Sequence, residues 1–110
     1  MKVWYTVEVQ MLGECERNYD LDEAIGWEMG FAEKDIDERE LYRMTAMFAN
    51  ETKPTQMRDI VRRLLAEHPN VFYIDVIYRY DSENVPDRFV FWNGGREQEY
   101  AGKIIFEEDK

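Results

Sequence analysis

At 110 residues the chain has room for one domain and little more. Its 45% hydrophobic and 15% aromatic content excludes a disordered acidic tail. Twenty-four acids against 14 bases give a formal net charge of −10, which argues against broad contact with nucleic acid or anionic membranes and favours a basic protein partner.

A single cysteine, Cys15, rules out a disulfide framework within the chain, and the expected setting is cytoplasmic. Glu8 interrupts any signal-like apolar core near the N-terminus. No apolar run approaches the ~20 residues that a membrane helix needs.

The first segment alternates. Val3, Tyr5, Val7, Val9 and Met11 point one way, and Trp4, Thr6, Glu8 and Gln10 the other. That period predicts a strand with one buried face, ending near Gly13. Asp20-Leu21-Asp22-Glu23 then resembles a capping box ahead of a helix that runs to about Lys34. Leu21, Ala24, Ile25, Met29 and Ala32 form its apolar stripe, widened by Trp27 and Phe31, with Gly26 and Gly30 on the far side. Residues Asp35 to Glu40 read as a charged connector.

Alternation returns from Leu41 to Asn50, with Tyr42, Met44, Ala46 and Phe48 as the apolar set. The clearest helix follows. Pro54 suits its first turn, Thr52 or Thr55 its cap, and Met57, Ile60, Val61, Leu64 and Leu65 keep helical spacing. Arg58, Asp59, Arg62 and Arg63 take the opposite face, with Asp59 and Arg63 spaced to pair. His68-Pro69-Asn70 ends this helix. Val71 to Asp81 is a third strand, with Phe72, Ile74, Val76, Tyr78 and Tyr80 on one face. A loop containing Pro86 leads to a fourth strand, Arg88 to Asn93. Asn93-Gly94-Gly95-Arg96 is a hairpin signal, and a fifth strand spans about Gln98 to Phe106 before a polar tail.

The predicted order is β-α-β-α-β-β-β. Every strand alternates, so the sheet is covered on one face only. The fold class is α+β: a two-layer sandwich with two helices on one face of a mostly antiparallel sheet of four to five strands, a relative of the ferredoxin-like pattern.

Charge is unevenly placed. Between Glu14 and Glu40 stand eleven acids and three bases, a balance of −8 within the chain's −10. Such a surface can meet a basic partner or imitate phosphate spacing. Glu33, Asp35, Asp37, Glu38 and Glu40 are the residues expected to carry that contact. Ordinary solvation of an acidic face is the plainer reading.

The less buried sheet face carries Trp4, Tyr73 and Arg79, residue types enriched at protein interfaces. They are the expected second contact, with cross-strand packing as the plainer account and a homodimer as one occupant. No metal, cofactor or catalytic set is expected. Asp35 to Glu40 begins like a calcium loop, but puts Arg39 at a ligand position and Glu40 where glycine is required. His68 suits the end of a helix better than catalysis.

The leading functional expectation is a small acidic protein-binding module, of inhibitor or immunity type, that occupies a basic nucleic-acid-handling partner. The alternatives are a ligand-binding or enzymatic domain using Asp75, Tyr73 and Arg79 or His68, and a structural homo-oligomer subunit.

Overall fold

The structure, a computed structural model, describes residues 1–100, and of Glu38 and Arg39 the backbone only. Its strands are β1 (Val3–Met11), β2 (Ile36–Arg39), β3 (Arg43–Asn50), β4 (Val71–Tyr80), β5 (Asp87–Trp92) and β6 (Glu97–Tyr100). Its helices are α1 (Tyr19–Met29) and α2 (Pro54–Glu67), with one 3-10 turn at Glu33–Asp35. The strands form a single open sheet in the order β2-β3-β1-β4-β5-β6, antiparallel at every pairing. Both helices lie on one face of it. The class is therefore α+β, as the alternation predicts.

The strand count is six among the described residues, against the four to five expected. The added strand is β2, which the sequence reading leaves as a connector. Its acidic residues hide it, because charge at a sheet edge reads like charge in a loop. With β2 counted, the first six elements run β-α-β-β-α-β, the ferredoxin-like order. The sheet then continues into β5 and β6, so the match to that pattern is not exact. The stretch of the fifth predicted strand beyond Tyr100, and the polar tail, lie outside the described residues.

Strand β1 is the centre of the sheet. Val3, Tyr5, Val7, Val9 and Met11 are all buried beneath the helices. Ladders on both sides fix its register, with Val7 opposite Ala46 of β3 and Val76 of β4. Helix α2 adds Met57, Val61, Leu64 and Leu65 to the core. Burying a side chain of that size contributes about 2 kcal/mol. Beyond the helix's apolar stripe, Arg58 stacks over Phe89 and Arg62 over Phe91 at 4.9 Å each, while their guanidinium groups pair with Glu99 and Glu97. These arginines roof the end of the core instead of forming a free basic face. Arg63 pairs with Glu28 of α1, not with Asp59, which pairs with Arg62.

Helix α1 differs from its expected form in three ways. Its N-cap is Asn18, whose side chain accepts from Leu21 N–H at 2.8 Å, so the helix starts before the proposed capping box. It ends at Met29, five residues short of Lys34. Gly30 adopts φ 93°, and both Gly30 N–H and Phe31 N–H donate to the Gly26 carbonyl. This is a glycine-terminated helix end. Phe31 then turns back onto the last turn, which is why Gly26 is buried and not on the far side: a Cβ there would meet the Phe31 carbonyl oxygen at 2.7 Å. Finally, Trp27 does not widen the buried stripe. It is two residues from Ile25 and two from Met29, so at 100° per residue it stands nearly opposite them, 85% exposed.

Only Ile25, Gly26 and Met29 of α1 are buried, so polar ties supplement a thin apolar contact. Arg17 makes a bidentate bond to Asp22 and also donates to the carbonyls of Glu40 and Arg43. The pair is nearly enclosed, with side chains 6% and 13% exposed. At the other end, Asn50 Nδ2 donates to the Met29 carbonyl at 3.0 Å. Helix α2 is capped differently from expectation as well. Lys53 is its N-cap residue, and its N–H donates to Gln56 Oε1, so neither Thr52 nor Thr55 is used. One more shift occurs in β4. A bulge opposite Gln10 and Met11 places Val71 on the core side and leaves Phe72 exposed, instead of facing inward with Ile74.

Two substitutions test this account by urea unfolding. Arg17→Met leaves Asp22 enclosed without its partner and should cost about 3 kcal/mol. Gly26→Ala should cost about 2 kcal/mol, because the new Cβ must displace the Phe31 backbone.

Candidate functional site

Two surfaces collect candidate side chains. The first follows α1 on the helix layer. It is a groove of about 890 Å³, lined on α1 by Tyr19, Asp20, Asp22, Glu23, Ala24, Gly26, Trp27 and Glu28. Phe31, Ala32, Glu33 and Ile36 continue it, and Leu64, Glu67 and His68 come from the end of α2. Six carboxylates and no lysine or arginine border it.

The helix terminus explains the shape of this groove. Because Gly30 stops α1 early and Phe31 folds back, the 31–36 segment runs beside the helix and not on from it. Tyr19, Glu23 and Trp27 are spaced four apart, so they share the outward face. A hydrogen bond to Glu23 raises the Tyr19 phenol above its ordinary value. The carboxylates are not equivalent. Asp22 is held by Arg17 and Glu28 by Arg63. Asp20, Glu23 and Glu67 carry no ion pair among the described residues.

The residues expected in the acidic contact separate. Glu33 lines the groove. Asp35 accepts from Ala32 N–H at 2.8 Å, closing the 3-10 turn. Asp37 is exposed beside the bulge in β2, and Glu38 pairs by register with Thr45. Glu40 pairs with Arg43 at 2.8 Å. Glu33, Asp35, Asp37 and Glu40 thus stand in different settings. The groove instead gathers Glu33 with acids from earlier in the segment and with Glu67 from α2. Trp27 is the residue that sequence reasoning missed. The signal was present in its position two residues from Ile25, once Ile25 and Met29 are taken as the buried line.

The second surface is the sheet face opposite the helices. Trp4 and Arg79 are cross-strand partners there, with the guanidinium 5.5 Å from the ring centroid, and Trp4 also donates to Asp81. Tyr73 is six residues from Arg79 along β4, about 20 Å away. The structure thus brings together Trp4 and Arg79 but not Tyr73. Tyr73 belongs to a separate cluster, donating from its hydroxyl to Glu8.

Glu8 stands directly opposite Asp75, a placement that is repulsive when both are charged. Asp75 is answered by Arg88, which donates from Nε at 3.1 Å and from Nη2 at 2.9 Å. Burial pushes the Tyr73 phenol well up, helped by the bond to Glu8. Burial also pushes the Asp75 carboxyl up from 3.8, with Arg88 pulling against it. None of the residues of this cluster lines the groove along α1.

Among the described residues, no group of three or more His, Cys, Asp or Glu side chains is placed to hold a metal ion. No helix there is long and apolar enough to cross a membrane. Comparison with known proteins returns no match, whether to family models, to curated proteins or to solved structures.

The Asp75 shift has a definite sign. Its folded value lies above the unfolded one, so the native state binds the proton more tightly. That contribution to stability is fully present below pH 3.8 and is lost as pH rises through the folded value. In urea unfolding between about pH 3 and pH 6, Asp75→Asn should remove this downward contribution with rising pH. An unaltered pH dependence would contradict it.

Proposed function

We propose that the chain is a protein-binding module whose groove along α1 takes a basic segment of a partner protein. The observation that supports this reading is the union, in one groove, of six carboxylates with a tryptophan that is 85% exposed. An aromatic side chain left in water on a folded domain contributes little to that domain. Placed under a partner, it buries a large area and accepts a cation on its face. The carboxylates around it steer a positive partner and fix its orientation. A Lys- or Arg-rich segment with an apolar side chain among its charges matches both features.

The class of partner follows from the charge. A protein that handles nucleic acid carries a basic groove, and a −10 domain that fills it competes with the phosphate backbone. The module would then act as an inhibitor or immunity-type protein by occupation, without chemistry of its own. The contact centres on Asp20, Glu23, Glu33 and Glu67 around Trp27. Asp35 and Glu40 contribute charge from positions already engaged in turns and pairs.

Calorimetry against an amphipathic Lys/Leu peptide, and against basic nucleases in competition with DNA, tests the proposal. The peptide should bind, weaken steeply as salt rises, and lose at least about tenfold in affinity with Trp27→Ala or with Glu23→Lys combined with Glu67→Lys. Affinity that ignores these changes but falls on charge reversal of Asp35, Asp37 and Glu40 would move the contact to the β2 edge. Affinity that ignores both sets would sink the reading.

A further inference from the structure

The helices cover one face of the sheet, and the other face bears side chains suited to contact. Trp4 is 43% and Met47 55% exposed on it. We infer that this face binds a second copy of the chain, sheet against sheet. The inference is independent of the groove along α1, which lies on the opposite layer.

Charge is the first argument. Among the described side chains this face and its rim carry Arg43, Arg79 and Arg88 against Glu8, Glu40, Asp75 and Asp81, so it stays close to neutral in a chain of −10. Two copies meeting here turn their acidic helix layers outward. The ridges then stand on the order of 30 Å apart, several Debye lengths at physiological salt. Any approach through the helix layer instead sets carboxylates against carboxylates.

Satisfaction of polar groups is the second. Polar groups on the face already have partners in their own chain: Arg88 pairs with Asp75, Arg43 with Glu40, the Tyr73 hydroxyl donates to Glu8, and Arg79 stacks on Trp4. Covering groups that are already paired strands neither partner, which limits the desolvation cost. Arg43 and Arg88 are not free to meet phosphates, as nucleic acid requires, and Asp75 is not free to meet a basic protein. A second copy needs neither.

Area is the third. The six strands hold 41 residues, and at about 3.3 Å per residue and about 4.8 Å between strands they cover a flat area of roughly 650 Å². With side-chain relief this approaches the ~800 Å² that each partner contributes to a standard interface. Trp4 and Met47 lie on neighbouring strands and supply apolar anchors. Two antiparallel sheets packed in this way lie about 10 Å apart with interdigitated side chains.

Sedimentation equilibrium of the full chain over a wide concentration range, at low and high salt, tests this. A reversible dimer is expected that tightens as salt rises, because salt screens the remaining repulsion between the two copies. Binding in the α1 groove should weaken under the same change, so the two contacts separate in one titration. Met47→Glu should weaken the dimer at least about tenfold, whereas Trp27→Ala should leave it unchanged. Amide NMR shifts on dilution of the unmodified chain provide a readout that needs no variant. They should concentrate in β1, β3 and β4. A monomer at every concentration and both salts would overturn the inference. So would a dimer indifferent to Met47→Glu in a folded variant, dilution shifts confined to the helices, or an oligothymidylate that occupies the same face.

Discussion

Strand β1 is hydrogen-bonded along both edges, and its inward row from Val3 to Met11 is buried to the last residue. A slip by one position would send that row into water and bring Trp4, Glu8 and Gln10 under the helices. The cost would run to many kcal/mol, so the register is fixed from the centre outward. Tyr5 shows how firmly. Its ring contacts Phe48 and Tyr78 on the neighbouring strands, while its hydroxyl donates to the Thr52 carbonyl at the entry to α2. The placement of every other strand, and of both candidate surfaces, follows from that alignment.

Around this centre, charge is used as structure before it is available for anything else. Arg17 and Asp22 tie α1 to the β2–β3 turn, and Arg63 and Glu28 join the two helices. Arg58 and Arg62 lay their guanidinium groups over Phe89 and Phe91 and reach across to β6. A long cationic side chain can do this because its stem is apolar and its head stays near solvent. The groove combines Asp22 and Glu28, engaged in these pairs, with Asp20, Glu23, Glu33 and Glu67.

How much of this was legible in the sequence depends on whether one period or one contact decided the matter. The alternation of β1 and the helical spacing of Met57, Val61, Leu64 and Leu65 locate their elements because each is repeated several times. The hairpin at Asn93-Gly94-Gly95 is equally plain, with both glycines at positive φ. The end of α1 is not, since Leu21 through Ala32 continues to look helical. Only the approach of Phe31 to Gly26, and the αL backbone of Gly30, break it there. Strand β2 is obscured because its pairing comes from β3 and its composition from solvent. The groove is obscured for a related reason. Glu67 and His68 lie more than thirty residues from Glu33 in the chain and meet it only through packing.

Strand β2 also has a consequence for the company the protein keeps. An open sheet ends in backbone groups able to pair with any extended chain that arrives. Here the end strand on one side is four residues long, interrupted by a bulge between Ile36 and Glu38, and flanked by Asp35 and Glu40. A stray strand finds too few groups in register and a local field of its own usual sign. The acidic stretch therefore acts as a fence at the rim of the sheet. It disfavours edge-to-edge pairing with other chains along that rim.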